Sequence, residues 1–302
     1  QKDGGKCTGM TIVVTGASGF IGKHTVKELL ERGYEITGID KRPLGLKHKN
    51  LKNAQCDILS PQLSSHINQG DKVLHLAAVS TFGGAGQNPA MAVRVNVEGT
   101  LNVINSCIHK KAERLVYSST GSVYHKYCTV PIKEDSPRNP TSIYGLTKKQ
   151  AEDWMMLYGD QIDYVILRYA YVYGQGKDWG AIGSFIKRIK QRQQPIIFGG
   201  RQTNDFIYVK DVVEANILAL ESEYLDQVYN IGTGIATSIK ETCRLCLQIM
   251  HSDLGMKIEP PRQFDIQMFV YDITKARLLL GFEPQWKLPE GIEDLVKQES
   301  TD

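Results

Sequence analysis

The chain has 302 residues, 41% hydrophobic and 23% charged, a balance that suits one large globular α/β unit or two closely joined lobes. A formal net charge of +3, with lysines and arginines spread along the chain rather than gathered into a basic arm, argues against nucleic acid as partner. Apolar runs all fall short of the roughly 20 residues that span a bilayer, and the opening QKDGGKCTGM has no hydrophobic signal region, so a cytoplasmic protein without membrane contact is expected.

The first nine residues read as a leader ahead of Met10. TIVVTG (11–16) has the continuous β-branched character of a buried strand, followed by an amphipathic helix from Phe20 to Arg32 and a second strand, EITGID (35–40). KVLHLAA (72–78) and RLVYSS (114–119) are the next strands, with a helical stretch at 92–111 between them. A helix from Ile143 to Tyr158 leads into the strand DYVILR (163–168). Strands alternating with helices make βαβ units, which require a parallel sheet covered on both faces, so the expected class is a doubly wound α/β fold. Beyond Arg168 the chain becomes richer in Gly and Tyr and its elements shorten: a helix at 181–192, a strand at PIIFGG, a helix at 210–222, a strand at QVYNIG and a helix at 238–251. The expected division is a sheet domain over 10–167, to which segments near 205–231 return, and a smaller lobe over 168–302. Six cysteines are scattered, and the single C-x-x-C, Cys243 and Cys246, lies in a helical pattern with no second ligand pair, which predicts core thiols and no metal.

TGASGFIGKH places Gly16, Gly19 and Gly22 directly after the first strand and into the first helix. Glycines there permit a tight turn, let backbone N–H groups approach a pyrophosphate and bring helix close to sheet, while the helix N-terminus favours the anion. The spacing G-x-x-G-x-x-G is a variant of the dinucleotide-binding fingerprint of Rossmann-type sheets. Asp40, ending the second strand, suits the adenosine ribose hydroxyls and would repel a 2′-phosphate, which favours NAD over NADP. Lys41 and Arg42 follow it directly and leave a possible grip for that phosphate. Asp57, in AQCDI, is placed to reach the adenine edge or to sit as a solvated turn residue.

Tyr-x-x-x-Lys occurs three times, at Tyr144/Lys148, Tyr173/Lys177 and Tyr271/Lys275. Residues at this spacing share a face only within a helix. Tyr173 to Lys177 spans two glycines in a loop-like stretch, and Tyr271 precedes a helix that starts near Thr274, which leaves Tyr144 and Lys148 as the pair that can act together. An ammonium beside a phenol favours the phenolate, and such a tyrosine can take a proton from a substrate hydroxyl while hydride leaves the same carbon for a nicotinamide. RLVYSST delivers Thr120 to the carboxyl edge of the sheet, where its hydroxyl can hold the substrate oxygen.

The blocks VTGASGFIG, GID, CDI, LHLAA, NVEGTLNV, VYSSTGSVY, PTSIYGLTKKQAE, LRYAYVYGQG, DFIYVKDVVEA and YNIGTG run over most of the chain. In order and spacing they resemble the extended short-chain dehydrogenase/reductase family, which includes nucleotide-sugar epimerases and dehydratases. That resemblance implies a triad of Thr120, Tyr144 and Lys148, with Lys148 also bonding the nicotinamide ribose. It implies adenosine contacts at Asp40 and Asp57, and further NAD contacts at Gly16, Gly19, Phe20, Ile21, Gly22, Ile58 and Ala77. Substrate contacts are expected at Ser80, Ser122, Tyr171, Arg201 and Arg262. Dehydratases of the family place an acidic pair after the threonine, whereas this chain has Gly121 and Ser122, so transient or net oxidation and reduction remain. The overall pattern looks most like the UDP-sugar 4-epimerases. Tyr171 stands where nucleotide-sugar members usually have Asn, and Asn204 where they usually have Arg; Arg201 and Arg262 are the candidates to compensate. These departures keep open a net dehydrogenase or reductase of another hydroxy or keto substrate. The resemblance further implies a homodimer formed through the helices at 92–111 and 143–158.

Overall fold

The computed structural model describes residues 11–80, 82–262 and 266–298; the leader expected at 1–9 lies outside them. In chain order the first strands are β1 (Thr11–Thr15), β2 (Glu35–Asp40), β3 (Leu51–Gln55), β4 (Lys72–His75), β5 (Arg114–Thr120) and β6 (Tyr164–Tyr169). Further strands are β7 (Tyr171–Tyr173), β8 (Ile196–Phe198), β9 (Thr203–Tyr208), β10 (Gln227–Ile231), β11 (Ala236–Ser238) and β12 (Lys257–Glu259). The helices are α1 (Phe20–Glu31), α2 (Phe82–Gln87), α3 (Pro89–Val93), α4 (Gly99–Lys110), α5 (Ile143–Leu157), α6 (Gly180–Lys190), α7 (Val209–Glu221), α8 (Ile239–Ile249) and α9 (Leu288–Gln298).

Among the described residues a seven-stranded sheet runs in the order β10-β6-β5-β4-β1-β2-β3. β1 pairs in parallel with β2 on one side and β4 on the other, and β2/β3 and β4/β5 are parallel as well. This is the doubly wound fold. Its central strands carry buried apolar runs because both faces are covered there: Val13 and Val14 in β1, and Val116 and Tyr117 in β5, are completely buried, whereas the edge strand β3 is largely exposed. The chain winds outward from β1 in both directions, so a topological switch point falls between the ends of β1 and β4, the place where open α/β sheets receive ligands.

The chain divides into two compact units. The first comprises the described residues up to Ser118, Ser142–Ile166 and Ala219–Gln227; the second comprises Ser119–Thr141, Leu167–Leu218 and the described residues from Val228 onward. The second unit holds a sheet in the order β11-β9-β7, a ribbon of β12 with β8, and a buried cluster of Val123, Tyr124, Ile132, Phe269, Tyr271 and Ile273.

Several boundaries differ from the sequence reading. The single helix expected at 92–111 is α3, a π-helical turn over Arg94–Glu98 and then α4. β4 stops at His75 rather than continuing to 78, and the strand at PIIFGG ends at Phe198 because Gly199 and Gly200 take φ values of +69° and +92°. β3, β7, β9, β11, β12 and α9 were not expected; apart from α9 and β9 these are strands of three to five residues, too short for a periodic signal. Cys243 and Cys246 are buried free thiols on α8, and burial pushes Cys243 up to about 11. Among the described residues no cluster of three metal-ligating side chains occurs, and no helix is long and apolar enough to cross a membrane.

Candidate active site

The glycine turn is built as its spacing demands. Gly16 has φ +71°, and a Cβ there would stand 2.6 Å from the backbone nitrogen of Ala77 and 2.8 Å from its Cα. The turn therefore touches the chain leaving β4, and Ala77 is brought to the switch point. A Cβ on Gly22 would lie 2.2 Å from the Gly16 carbonyl oxygen, so α1 packs backbone to backbone against the turn. The Gly19 N–H donates to the Gly16 carbonyl at 2.9 Å, while Gly19 caps α1 without a side-chain hydrogen bond and with no acid in the first turn. That leaves a positive helix end carrying Phe20, Ile21 and Gly22, suited to a pyrophosphate.

Asp40 closes β2 beside this turn. Its Oδ2 accepts from the Ser18 N–H at 3.0 Å and its Oδ1 from the Arg42 N–H at 2.9 Å, with the Arg42 Nε at 3.7 Å. A cavity of about 340 Å³ opens alongside, bordered by Ser18, Gly38, Asp40, Arg42, Leu44 and Gln55 among others. Its polar edge at Asp40 and apolar walls suit an adenosine. Asp57 and Ile58 do not border it. The Asp57 carboxylate caps its own turn by accepting from the Leu59 N–H at 2.9 Å, and Ile58 is buried against Gly99, with its carbonyl bound by the Asn102 amide at 2.6 Å.

α5 starts at an N-cap, Ser142, whose Oγ accepts from the Gly145 N–H at 3.0 Å. This fixes Tyr144, half-buried, one turn before Lys148, which is buried. The Lys148 ammonium lies 4.0 Å above the ring of Tyr117 on β5. Burial draws it from 10.5 down to about 7, with Glu152 one turn further along α5 opposing. Tyr173/Lys177 and Tyr271/Lys275 make no comparable pair: Tyr173 is buried in β7 while the Lys177 ammonium donates to the Val172 carbonyl, and Tyr271 precedes the helical turn holding Lys275.

A buried polar chain supports this helix. His75 Nδ1 is 2.6 Å from Thr15 Oγ1 and its Nε2 is 3.0 Å from Thr100 Oγ1, which donates to the Asn96 carbonyl. The Asn96 side chain accepts from the Val79 N–H at 2.8 Å and donates to Thr147 Oγ1 at 3.0 Å, and Thr147 donates to the Tyr144 carbonyl. Asn96 thus joins the chain after β4, where Ser80 is exposed, to the first turn of α5.

In the second unit, Thr120 Oγ1 accepts from the Ser122 N–H at 3.2 Å and lies 3.4 Å from Ser122 Oγ, so both hydroxyls belong to one tight turn. A Cβ on the intervening Gly121 would stand 2.3 Å from Phe269 Cζ and 2.8 Å from the Tyr271 hydroxyl. Tyr171 on β7 meets Phe269 edge-on at 5.2 Å and Phe206 at 6.1 Å, and 39% of it remains exposed. Asn204 is buried in β9, opposite Thr237 of β11. Pairing of β8 with β12 sets the turn of the exposed Arg201 beside the segment of Arg262, whose guanidinium stacks 3.7 Å over Phe198.

Residues 12–232 match the sequence profile of the NAD dependent epimerase/dehydratase family. The chain belongs to this family. A Methanocaldococcus jannaschii relative is 36% identical over 302 residues, covering 94% of this chain and 97% of its own. The UDP-glucose 4-epimerase of Mycolicibacterium smegmatis is 31% identical, covering 95% of this chain and 98% of its own. Among solved structures, the Thermotoga maritima UDP-glucose 4-epimerase with UDP-glucose superposes with a TM-score of 0.90 at 31% identity, covering 97% of this chain and 100% of that one. A Bacillus cereus UDP-glucuronic acid 4-epimerase mutant, in complex with UDP-4-deoxy-4-fluoro-glucuronic acid and NAD, gives 0.89 at 30% identity, covering 96% and 100%.

As a member of the NAD dependent epimerase/dehydratase family, the protein carries supporting residues that sequence reasoning missed. Asn96 stands inside the NVEGTLNV block, and a lone amide between two valines in a helical run was its signal. Tyr117 and His75 sit in apolar strand runs and gave none, since only the tertiary packing shows that they meet beneath Lys148.

Proposed function

We propose that this protein is an NAD-dependent 4-epimerase of a UDP-sugar, with Tyr144 as its acid/base. The observation that carries this reading is Tyr144 one turn before a buried ammonium, Lys148, on a helix braced at the switch point of a dinucleotide-type sheet. The chain's own residues fit the cofactor: Gly16 and Gly22 let the turn close tightly against the backbone at Ala77 and at Gly16, α1 offers an N-terminus without a side-chain cap that carries Phe20 and Ile21, and Asp40 borders an adenosine-sized cavity. When bound, NAD supplies the carbon that accepts hydride from the sugar and returns it to the opposite face.

In this reading Tyr144, as phenolate, removes the proton of the sugar hydroxyl and later gives it back, Lys148 favours the phenolate by its charge and holds the nicotinamide ribose, and Thr120 holds the same sugar oxygen. Ser80, Ser122 and Tyr171 contact the sugar. Arg201 and Arg262 take the diphosphate, which suits their adjacent segments. Gly121 and Ser122 offer no carboxylate to expel a hydroxyl, which argues against dehydration. Asp57, Ile58 and Ala77 complete the NAD contacts. The first unit binds NAD and the second supplies most substrate contacts. The enzyme acts in the cytoplasm as a homodimer, to which the exposed Leu146 and Leu157 on α5 lend support as contact residues.

The test is interconversion of UDP-glucose and UDP-galactose. Tyr144→Phe should keep NAD and lose about 100-fold or more in turnover, and unchanged turnover would remove the catalytic assignment. Accumulating NADH with a single substrate would favour the net dehydrogenase, the reading supported by Tyr171 packed in an aromatic group and by the buried Asn204.

A further inference from the structure

We infer that Tyr117 is a positioning residue for the reaction, holding Lys148 in place and in its charged form by presenting the face of its ring to the ammonium. This rests on the proposed roles of Tyr144 and Lys148. Three observations on the strand beneath α5 carry it. The Lys148 Nζ stands 4.0 Å above the centre of the ring, well within the range at which an aromatic quadrupole attracts a cation. Tyr117 is 0% exposed, so the contact is dry and the attraction is not shared with water. And the ring of His75 lies against that of Tyr117, centroid to centroid 5.6 Å, so packing on the strand side holds the Tyr117 ring beneath the ammonium.

Of the other groups around Lys148, one carboxylate shares in keeping it charged and the rest do not. Glu152, on its own helix, is the acid that favours the ammonium. His75 on β4 stays neutral, held down to about 3 by burial and then by Lys148 itself, so it offers no negative charge. Burial, then Tyr144 and Glu152, push Tyr117 upward against an opposing hydrogen bond with Thr100, which keeps the phenol neutral and its ring face intact. From the segments packed on α5, Asn96 and Thr100 turn neutral polar side chains inward, whereas Arg94 pairs with Glu98 at the surface. Burial has brought Lys148 close to losing its proton near neutral pH, so the ring acts at the pH where the balance is decided.

The test separates the ring's electrostatics from its shape. Tyr117→Phe and its ring-fluorinated analogues, up to pentafluorophenylalanine, keep the volume while draining the face of negative potential. The titration of Lys148 is followed by the 13Cε resonance of labelled lysine, assigned with Lys148→Arg, in the NAD-loaded protein. Tyr117→Phe should retain the Lys148 midpoint, and full fluorination should lower it by about one pH unit. The alkaline limb of the epimerisation rate should move down with it, because the ammonium form is the one that favours the phenolate. A midpoint unmoved by fluorination, in proteins of equal thermal stability, overturns the inference. A midpoint that moves while the rate limb stays would support the ring's hold on Lys148 and remove Lys148 from the proposed chemistry. Loss of midpoint already in Tyr117→Phe would give the role to the hydroxyl and equally overturn it.

Discussion

Replacing Gly16 by alanine tests whether the glycine turn is as crowded as the structure shows. Two costs add. A non-glycine residue at φ +71° costs about 1 to 2 kcal/mol from the clash of Cβ with its own carbonyl. The new Cβ also meets three backbone atoms, Ala77 N at 2.6 Å, Ala77 Cα at 2.8 Å and the Leu76 carbonyl carbon at 2.8 Å, none of which can swing away as a side chain would. Overpacking of this kind costs about 1 to 3 kcal/mol. The alanine restricts the unfolded chain and so returns about 0.4 to 1 kcal/mol. The costs win, with a net loss of about 1 to 4.5 kcal/mol, or roughly 2 to 7 °C in Tm for a chain of this size. Gly33 supplies the control: it has φ +86° but nothing within 4 Å of its would-be Cβ, so Gly33→Ala carries the backbone cost alone. Thermal denaturation of both variants, with and without saturating NAD, is the assay. Gly16→Ala should melt several degrees below Gly33→Ala and lose most of the rise in Tm that NAD confers, since the turn is the proposed seat of the pyrophosphate. Equal melting points and equal NAD effects would show that the turn is neither crowded nor a binding element.

The buried His75 makes acid stability measurable: its imidazole is held from 6.5 down to about 3, so unfolding releases a site that takes up a proton. Its contribution is complete above about pH 6.5 and falls towards pH 3 at up to about 1.4 kcal/mol per pH unit, so between about pH 7 and pH 5 the wild type should lose about 2 kcal/mol more in urea denaturation than His75→Asn; equal losses would refute it. Asn96→Ala strands the Val79 amide and deprives Thr147 of a donor, which should cost about 2 to 4 kcal/mol in urea denaturation and lower turnover by loosening the start of α5; a change under about 0.5 kcal/mol would contradict the brace. Arg262→Ala should raise KM for the UDP-sugar about tenfold with kcat retained, and Arg262→Lys should not restore it, because an ammonium neither stacks flat on Phe198 nor grips a diphosphate with two parallel bonds; full rescue by lysine would assign Arg262 a purely electrostatic part.

Much of this protein is determined locally and was therefore readable. The alternation of β-branched runs with amphipathic helices specifies a parallel, two-sided sheet, because strands buried on both faces read as near-continuous runs of β-branched and apolar residues, as in TIVVT. The glycines after β1 and the acid after β2 declare themselves because their conformational and charge requirements belong to single residues at fixed offsets. Tyr144 and Lys148 were separable from the two other pairs of equal spacing for the same reason, since helical phase is a property of a short stretch of chain. The short strands β7, β11 and β12 were not readable, being stabilised by partners distant in sequence, as Asn204 is by Thr237. The π-helical turn at Arg94–Glu98 likewise reflects no local breaker; it lies in the segment where Asn96 reaches both Val79 and Thr147. Tertiary structure alone decided that Tyr117 lies beneath Lys148, that Ala77 abuts Gly16 and that the turn of Arg201 lies beside Arg262. Each of these is a contact between residues tens of positions apart, and a sequence pattern records what one residue needs from its neighbours in the chain, not which distant surface the fold will press against it.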